Sequence, residues 1–506
     1  MTHRLRTLTA IAATTALAFV SNASGTAPDA RAAATADPVP ELRPGDLATT
    51  PGTTEPPAAN ILVRRPGRAH GDIFVTPQGM NNATRGPQIM DDRGRPIWFR
   101  ELPENYFATD LRVQEYQGKK VLTWWEGQAT NTGKGTGIGY IADENYRIIA
   151  TVQTPDVRQV MDLHEFTLTP QGTALIVSYQ QKPYDLSQAG GAKDGRVVDS
   201  VVQEIDIATG EKLLNWSALE HVPVTDSDLR TPPDGAAPYD FLHVNSVGLD
   251  TDGNLLISGN AASTVYKVDR KTGGIIWRLG GRHSDFRLGI GARFQWQHDV
   301  RAAGHHTYRI YDNATPNGLQ GYESRVAWIR IDPKTRTAEL VRQLTHPDKM
   351  STMREGGSQS LPNGNTFVCW AASVPGRISE FSRDGRLIFD ATFTNSRDTA
   401  SYRAYRLDWD GKSLTKPELL TGDAAEGTVR ANWNGASDVS RWRLLAGGAT
   451  GALKPVATAD WDGFDTPITV PARARDADRL QVQALDARGH VVGTSAVTPA
   501  GADQDG

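Results

Sequence analysis

The sequence predicts an all-β fold: a closed ring of six four-stranded units followed by a small β-sandwich, and three observations lead there. Between about residues 61 and 410, short apolar or alternating runs are separated by Asp, Gly, Asn and Pro clusters, with no long 3.6-residue helical stripe. Within that stretch two phrases recur. Beyond Lys412 the composition shifts to short strands rich in Ala, Gly and Asp.

The first phrase is an Asp or Gly turn before a strand that often carries Trp. It appears as Asp91-Asp92-Arg93-Gly94 before Ile97-Trp98, Asp206 to Gly210 before Trp216, Asp269 to Gly273 before Trp277, Asp332 to Arg336, and Arg383-Asp384-Gly385-Arg386. The second phrase includes Leu168-Thr169-Pro170-Gln171-Gly172, Leu249 to Asn254, and Leu361-Pro362-Asn363-Gly364-Asn365, each before an apolar strand. A four-stranded antiparallel unit cannot bury both faces alone, so repeated units stack, and ring closure leaves none exposed. The units fall at about 61–103, 104–158, 159–235, 236–292, 293–350 and 351–410, which makes the ring a six-bladed β-propeller. The alternating run Tyr402 to Leu407 is expected to close the sixth unit.

Residues 1–32 read as an export signal, with His3, Arg4 and Arg6 ahead of a small-apolar stretch too short to span a membrane. Residues 33–60 form an extended or poorly ordered lead rich in Pro, Ala and Thr. Residues 411–500, with Trp433 on an early strand and the alternating Gln481 to Leu485, resemble a fibronectin type III-like sandwich, expected to act as a spacer or docking surface. A secreted or extracellular location follows as an expectation. The net charge is -4 before signal removal and two units more acidic after it, which gives nucleic acid nothing to bind. The single cysteine, Cys369, lies in an apolar strand and reads as a buried residue.

Of eleven histidines, three occupy similar positions just before or within the first strand of a unit: His164, His243 and His298. The innermost strands of a ring line one axis, so these imidazoles are expected to meet. Asn245 follows His243 by two, the spacing that returns a strand side chain to the same face. An imidazole serves as base or nucleophile near neutrality, and an amide donates without charge. Read as residues alone, these groups suit a reacting site and equally suit histidines that hold loops by hydrogen bonds. Glu165 and Asp299, next to their histidines, are expected to point away. Adjacent His305 and His306 are expected on opposite faces of a strand, and neither metal-ligand spacing nor a phosphate loop in its proper context is present. Arg354 is the arginine singled out for an anionic group, and Trp124, Trp125, Trp296, Tyr179 and Tyr322 are candidates for an aromatic wall.

The stretches Asp199 to Asp206, Phe241 to Val247, Lys267 to Gly281, and Trp296-Gln297-His298-Asp299 resemble the arylsulfotransferase family that works without a nucleotide sulfate donor, a likeness running from 60 to 410. The resemblance implies a secreted six-bladed propeller, no cofactor or metal, and small phenolic or aryl sulfate partners. It implies ping-pong sulfuryl transfer, with His298 matching the histidine that is sulfated, His243 and Asn245 a His-x-Asn pair at the sulfate oxygens, and His164 the third channel histidine. One position departs: Gly259 stands where the family commonly has arginine, which leaves a non-catalytic binding propeller, or another histidine-based enzyme, as alternatives.

Overall fold

The computed structural model describes residues 56–78, 85–130, 133–156, 159–232, 237–314, 322–371, 376–393, 399–422 and 427–500. The signal and most of the lead lie outside them. The Asp-x-x-Thr-Gly phrase shows how the sequence sets its turns. The Asp206 carboxylate accepts the Thr209 N–H at 2.8 Å, Asp269 accepts that of Thr272 at 2.8 Å, and Asp332 that of Thr335 at 3.3 Å. The next residue is left-handed in each: Gly210 at φ 73°, Gly273 at 75°, and Arg336 at 53°, where a side chain bears the strain.

Each of these turns joins the third and fourth strands of its unit, and among the described residues six four-stranded antiparallel units follow one another. Their innermost strands are Ala400–Leu407, Phe107–Tyr116, Met161–Leu168, Val244–Leu249, His298–Ala302 and Gly357–Ser360, and each touches the next in cyclic order, back to the first. The fold is a β-propeller. Its closure differs from the expected unit boundaries. Ala400–Leu407 pairs with Asp72–Gln78, so the run expected to finish the sixth unit supplies the inner strand of the first. In exchange, Ala59–Arg64 adds to Leu387–Phe393 as a fifth strand on the sixth sheet. Both ends of the propeller are thereby held by long-range ladders, a solution no local pattern encodes.

Large side chains fill the spaces between sheets. Trp124 and Trp125 are fully buried there, Trp124 against Tyr140 at 5.4 Å, and Trp125 donating to the Met161 carbonyl at 3.2 Å. Cys369 is buried and donates to the Ser401 carbonyl at 3.2 Å, and burial pushes its thiol up.

The C-terminal residues form two facing sheets, one of Glu418–Leu420, Thr428–Asn432 and Asp465–Thr469, the other centred on Arg441–Gly447 and Arg479–Leu485. Trp433, Trp442, Leu444, Ile468 and Val482 fill the space between them. This sandwich seats on the outer strand of the first propeller sheet, Pro96–Phe99. The Asn434 amide accepts the Phe99 N–H at 3.0 Å and donates to its carbonyl at 2.8 Å, while Phe464 N–H donates to the Pro96 carbonyl at 2.8 Å. Trp98 stacks on Tyr146 at 5.1 Å, and the Tyr146 hydroxyl donates to the Gly435 carbonyl. Among the described residues no helix is long and apolar enough to cross a membrane.

Candidate active site

Alternation along the innermost strands sorts their side chains into two groups. On Met161–Leu168, Asp162 and His164 share a face and Glu165 takes the other. One Asp162 oxygen accepts both the backbone N–H of His164, at 3.0 Å, and the proton on its Nδ1. The other accepts the Gly135 N–H at 2.6 Å. Imidazole Nδ1 is thus the protonated nitrogen of His164, and Nε2 carries its lone pair. Burial holds His164 below the ordinary imidazole range, with Asp162 opposing and His243 and Lys134 adding to the effect.

His243 precedes the strand Val244–Leu249 and has φ 50°, so the strand alternation expected to align it with Asn245 does not reach it. The bonds from Asn260 N–H to its carbonyl at 3.1 Å, and from Ala261 N–H to that of Leu242 at 3.0 Å, fix this left-handed geometry. His243 Nδ1 donates to Asp240 at 2.7 Å, and Lys134 Nζ meets the same carboxylate oxygen at 2.6 Å. Burial would raise the Asp240 pKa, but His243 and Lys134 hold it well below the usual carboxylate range. Asn245 is fully buried and donates to the Gln297 carbonyl at 2.8 Å, anchoring the segment that carries His298.

The His164 and His243 rings stand perpendicular at 4.9 Å. Tyr179 stacks beside His243 at 5.8 Å under Lys134, whose Nζ is 5.2 Å from the ring centre. Tyr402, from the closing strand, meets His164 edge-on at 5.7 Å and His298 at 6.5 Å, which links the third histidine to the pair.

His298 makes two hydrogen bonds that define its tautomer. Asn313 donates its amide to the carbonyls of Thr352 and Glu355, both at 3.1 Å, which turns its oxygen toward His298. His298 Nδ1 therefore donates to that oxygen at 2.8 Å, and Nε2 accepts the backbone N–H of Glu355 at 3.1 Å. Burial, only partly opposed by the Asn313 hydrogen bond, depresses the His298 pKa to about 3, so the ring is neutral at physiological pH.

The remaining candidates fall elsewhere. Arg354 is 64% exposed and faces Glu355 at 3.4 Å. Tyr179 joins the cluster, whereas Trp124 and Trp125 pack between sheets, Trp296 is half-buried at φ 55°, and Tyr322 is exposed. A Cβ built on Gly259 would lie 2.6 Å from Leu242 Cδ1 and 3.0 Å from Tyr266, so an arginine there needs both to move. His305 and His306 sit in a turn with rings 3.9 Å apart, not on opposite faces of a strand. His346, Asp348 and Asp390 cluster within 4.8 Å, but Arg377 Nη1 already contacts Asp348 at 3.3 Å and Asp390 at 2.5 Å and supplies the positive charge.

The sequence reading missed Asp162, Asp240, Lys134, Asn313 and Tyr402. The Asp-x-His and Asp-x-x-His spacings were visible signals for the first two, because a carboxylate two or three residues before an imidazole reaches Nδ1. The other three come from separate sheets.

Likeness to solved structures is distant. A protein of unknown function from Bacteroides caccae aligns over 66% of this chain and 98% of its own at 10% identity and TM-score 0.41. A protein from Lactobacillus plantarum covers 80% and 97% at 13% identity and TM-score 0.35. Virginiamycin B lyase from Staphylococcus aureus covers 70% and 88% at 10% identity and TM-score 0.27. No curated protein matches the chain. The arylsulfotransferase (ASST) family model matches residues 112–394, more than half of the chain and the whole stretch that carries the three histidines, and the chain belongs to that family.

Proposed function

We propose that the protein transfers a sulfuryl group from an aryl sulfate to a phenol in two half-reactions through a sulfohistidine on His298. The observation that carries this reading is a neutral imidazole with Nδ1–H fixed by Asn313, beside two further imidazoles each backed by a carboxylate. In the first half-reaction His298 Nε2 attacks sulfur, the S–O bond to the aryl group breaks, and protonated His243 gives its proton to the departing phenolate. Asp240 is placed to balance the charge of that imidazolium. Nδ1 keeps its proton throughout, so the sulfated ring is a good leaving group. In the second half-reaction the acceptor phenol loses its proton to an imidazole as its oxygen attacks sulfur and the S–N bond breaks.

The Glu355 N–H occupies the lone pair of Nε2 in the free protein. Arrival of sulfur at Nε2 replaces that bond and leaves the N–H beside the sulfuryl oxygens, where one donor is worth on the order of 3 kcal/mol to a developing charge. The same proposal takes the chain to be exported, and the C-terminal sandwich to be a fibronectin type III-like spacer fixed to the first propeller sheet.

Incubation with a chromogenic aryl sulfate, followed by intact mass, tests the route. Wild type gains about 80 Da, and His298→Ala gains nothing while remaining folded. Absence of both phenol release and transferred sulfate with varied acceptors and pH favours the binding-propeller reading instead.

A further inference from the structure

The closing strand brings to the histidines one group that no hydrogen bond satisfies. Tyr402 is 2% exposed, and its hydroxyl is buried with no partner among the described residues. Neighbouring phenols behave otherwise: Tyr179 donates to the Val244 carbonyl at 2.6 Å, Tyr405 to Asp110 at 2.7 Å, and Tyr311 pairs with Thr352 at 3.0 Å. A buried hydroxyl left unpaired destabilises the fold, a cost that a phenylalanine would avoid. The ring is edge-on to His164 and to His298, at 85° and 71°, and the Arg403 guanidinium lies over it, 5.3 Å from its centre.

We infer that the Tyr402 hydroxyl, on a ring packed edge-on against His164 and His298, is a catalytic hydrogen-bond donor to an oxygen of the transferred sulfuryl group. The inference rests on the sulfotransfer reading above. It supplies a neutral donor in a site where Leu242 and Tyr266 fill the space an arginine at position 259 would need. Tyr402 forms and breaks no covalent bond: the aryl S–O bond breaks, the S–Nε2 bond forms at His298, and the phenolic proton stays in place. Burial raises the phenol well above its ordinary pKa; Arg403 opposes this, and the acids Glu355 and Asp162 add to it, so the hydroxyl remains protonated and able to donate.

Tyr402→Phe removes the hydroxyl and keeps the ring. In the full chain, transfer from 4-nitrophenyl sulfate to phenol is measured alongside the thermal midpoint and calorimetric binding of 4-nitrophenyl sulfate. The expected result is a fall in kcat of about 10- to 100-fold, with a smaller change in KM and an unchanged or higher thermal midpoint. A kcat within twofold of wild type overturns the role of Tyr402 while leaving the sulfohistidine route intact. A variant that fails to fold, or melts lower, overturns it too, because the hydroxyl is then structural. If wild type transfers nothing, binding decides: tenfold weaker binding by Tyr402→Phe upholds the anion-donor role and rejects only the transfer, equal binding overturns the donor role, and binding by neither protein overturns both.

Discussion

Adjacent residues on the same inner strands belong to two regions with opposite character. His164 and His298 join the imidazole cluster, whereas Glu165 and Asp299 turn into a buried ionic hub that ties all six sheets together across the axis. In the hub, Glu165 receives Arg301 at 2.7 Å, Arg112 at 3.1 Å and Arg403 at 3.4 Å, and Arg403 also meets Asp110 at 3.0 Å and the Asn245 carbonyl at 3.3 Å. Asp299 takes Arg301 at 2.8 Å and the Ser358 N–H at 2.8 Å. Burial would raise the Glu165 pKa, but these arginines hold it far below the carboxylate range. The two regions differ in what they leave without a hydrogen bond: in the hub only the Nε of Arg112 and Arg403, whose guanidiniums are ion-paired through their other nitrogens, and around the histidines one oxygen each on Asn245 and Asp240 and the Tyr402 hydroxyl. Paired charges make a frame that resists rearrangement, and spare donors and acceptors are what a site needs to bind something else.

Breaking the hub should have the largest effect. Arg403→Met leaves Asp110, Glu165 and Asp299 short of one buried cation, and a loss of about 3–5 kcal/mol is expected in denaturant unfolding. A loss under about 1 kcal/mol would show that the hub is not the frame. Next, Gly259→Arg forces a side chain against Leu242 and Tyr266, at an expected cost of about 1–3 kcal/mol with no gain in transfer rate. A faster enzyme of unchanged stability would mean that the site has room for a cation there.

Taken per pH unit, the smallest effect is a slope with pH. His298 has a folded pKa of about 3 against an ordinary 6.5, so below pH 6.5 the unfolded chain binds a proton that the folded ring refuses. This contribution to stability is complete above pH 6.5 and is lost as the pH falls toward 3, by at most about 1.4 kcal/mol per unit. His298→Gln should flatten the dependence of unfolding free energy between pH 6.5 and 4 relative to wild type. Parallel curves would place a charged or solvated imidazole at 298.

Much of this division was legible beforehand. The strand pleat has a period of two, so the opposite facing of His164 and Glu165 follows from adjacency alone, whereas Asp299 turns from His298 at a left-handed residue, φ 48°, where the register of the strand shifts. The Asp-x-x-Thr-Gly turns were equally readable, because carboxylate capping and a left-handed fifth position are local. His243 defeated the same reasoning: its φ of 50° takes it out of the strand, and the bonds imposing that angle come from Asn260 and Ala261. Arg354, distinguished by its polar turn, remains at the surface.

Local chemistry written in the chain determined the strands, their turns, the faces of their side chains and the three imidazoles at corresponding places in successive units. Ring closure decided the rest. Only when Ala400–Leu407 pairs with Asp72–Gln78 does Tyr402 arrive between two histidines and Arg403 between three carboxylates. Which distant side chains meet is fixed by the joint packing of all the sheets, and no window of sequence contains that information.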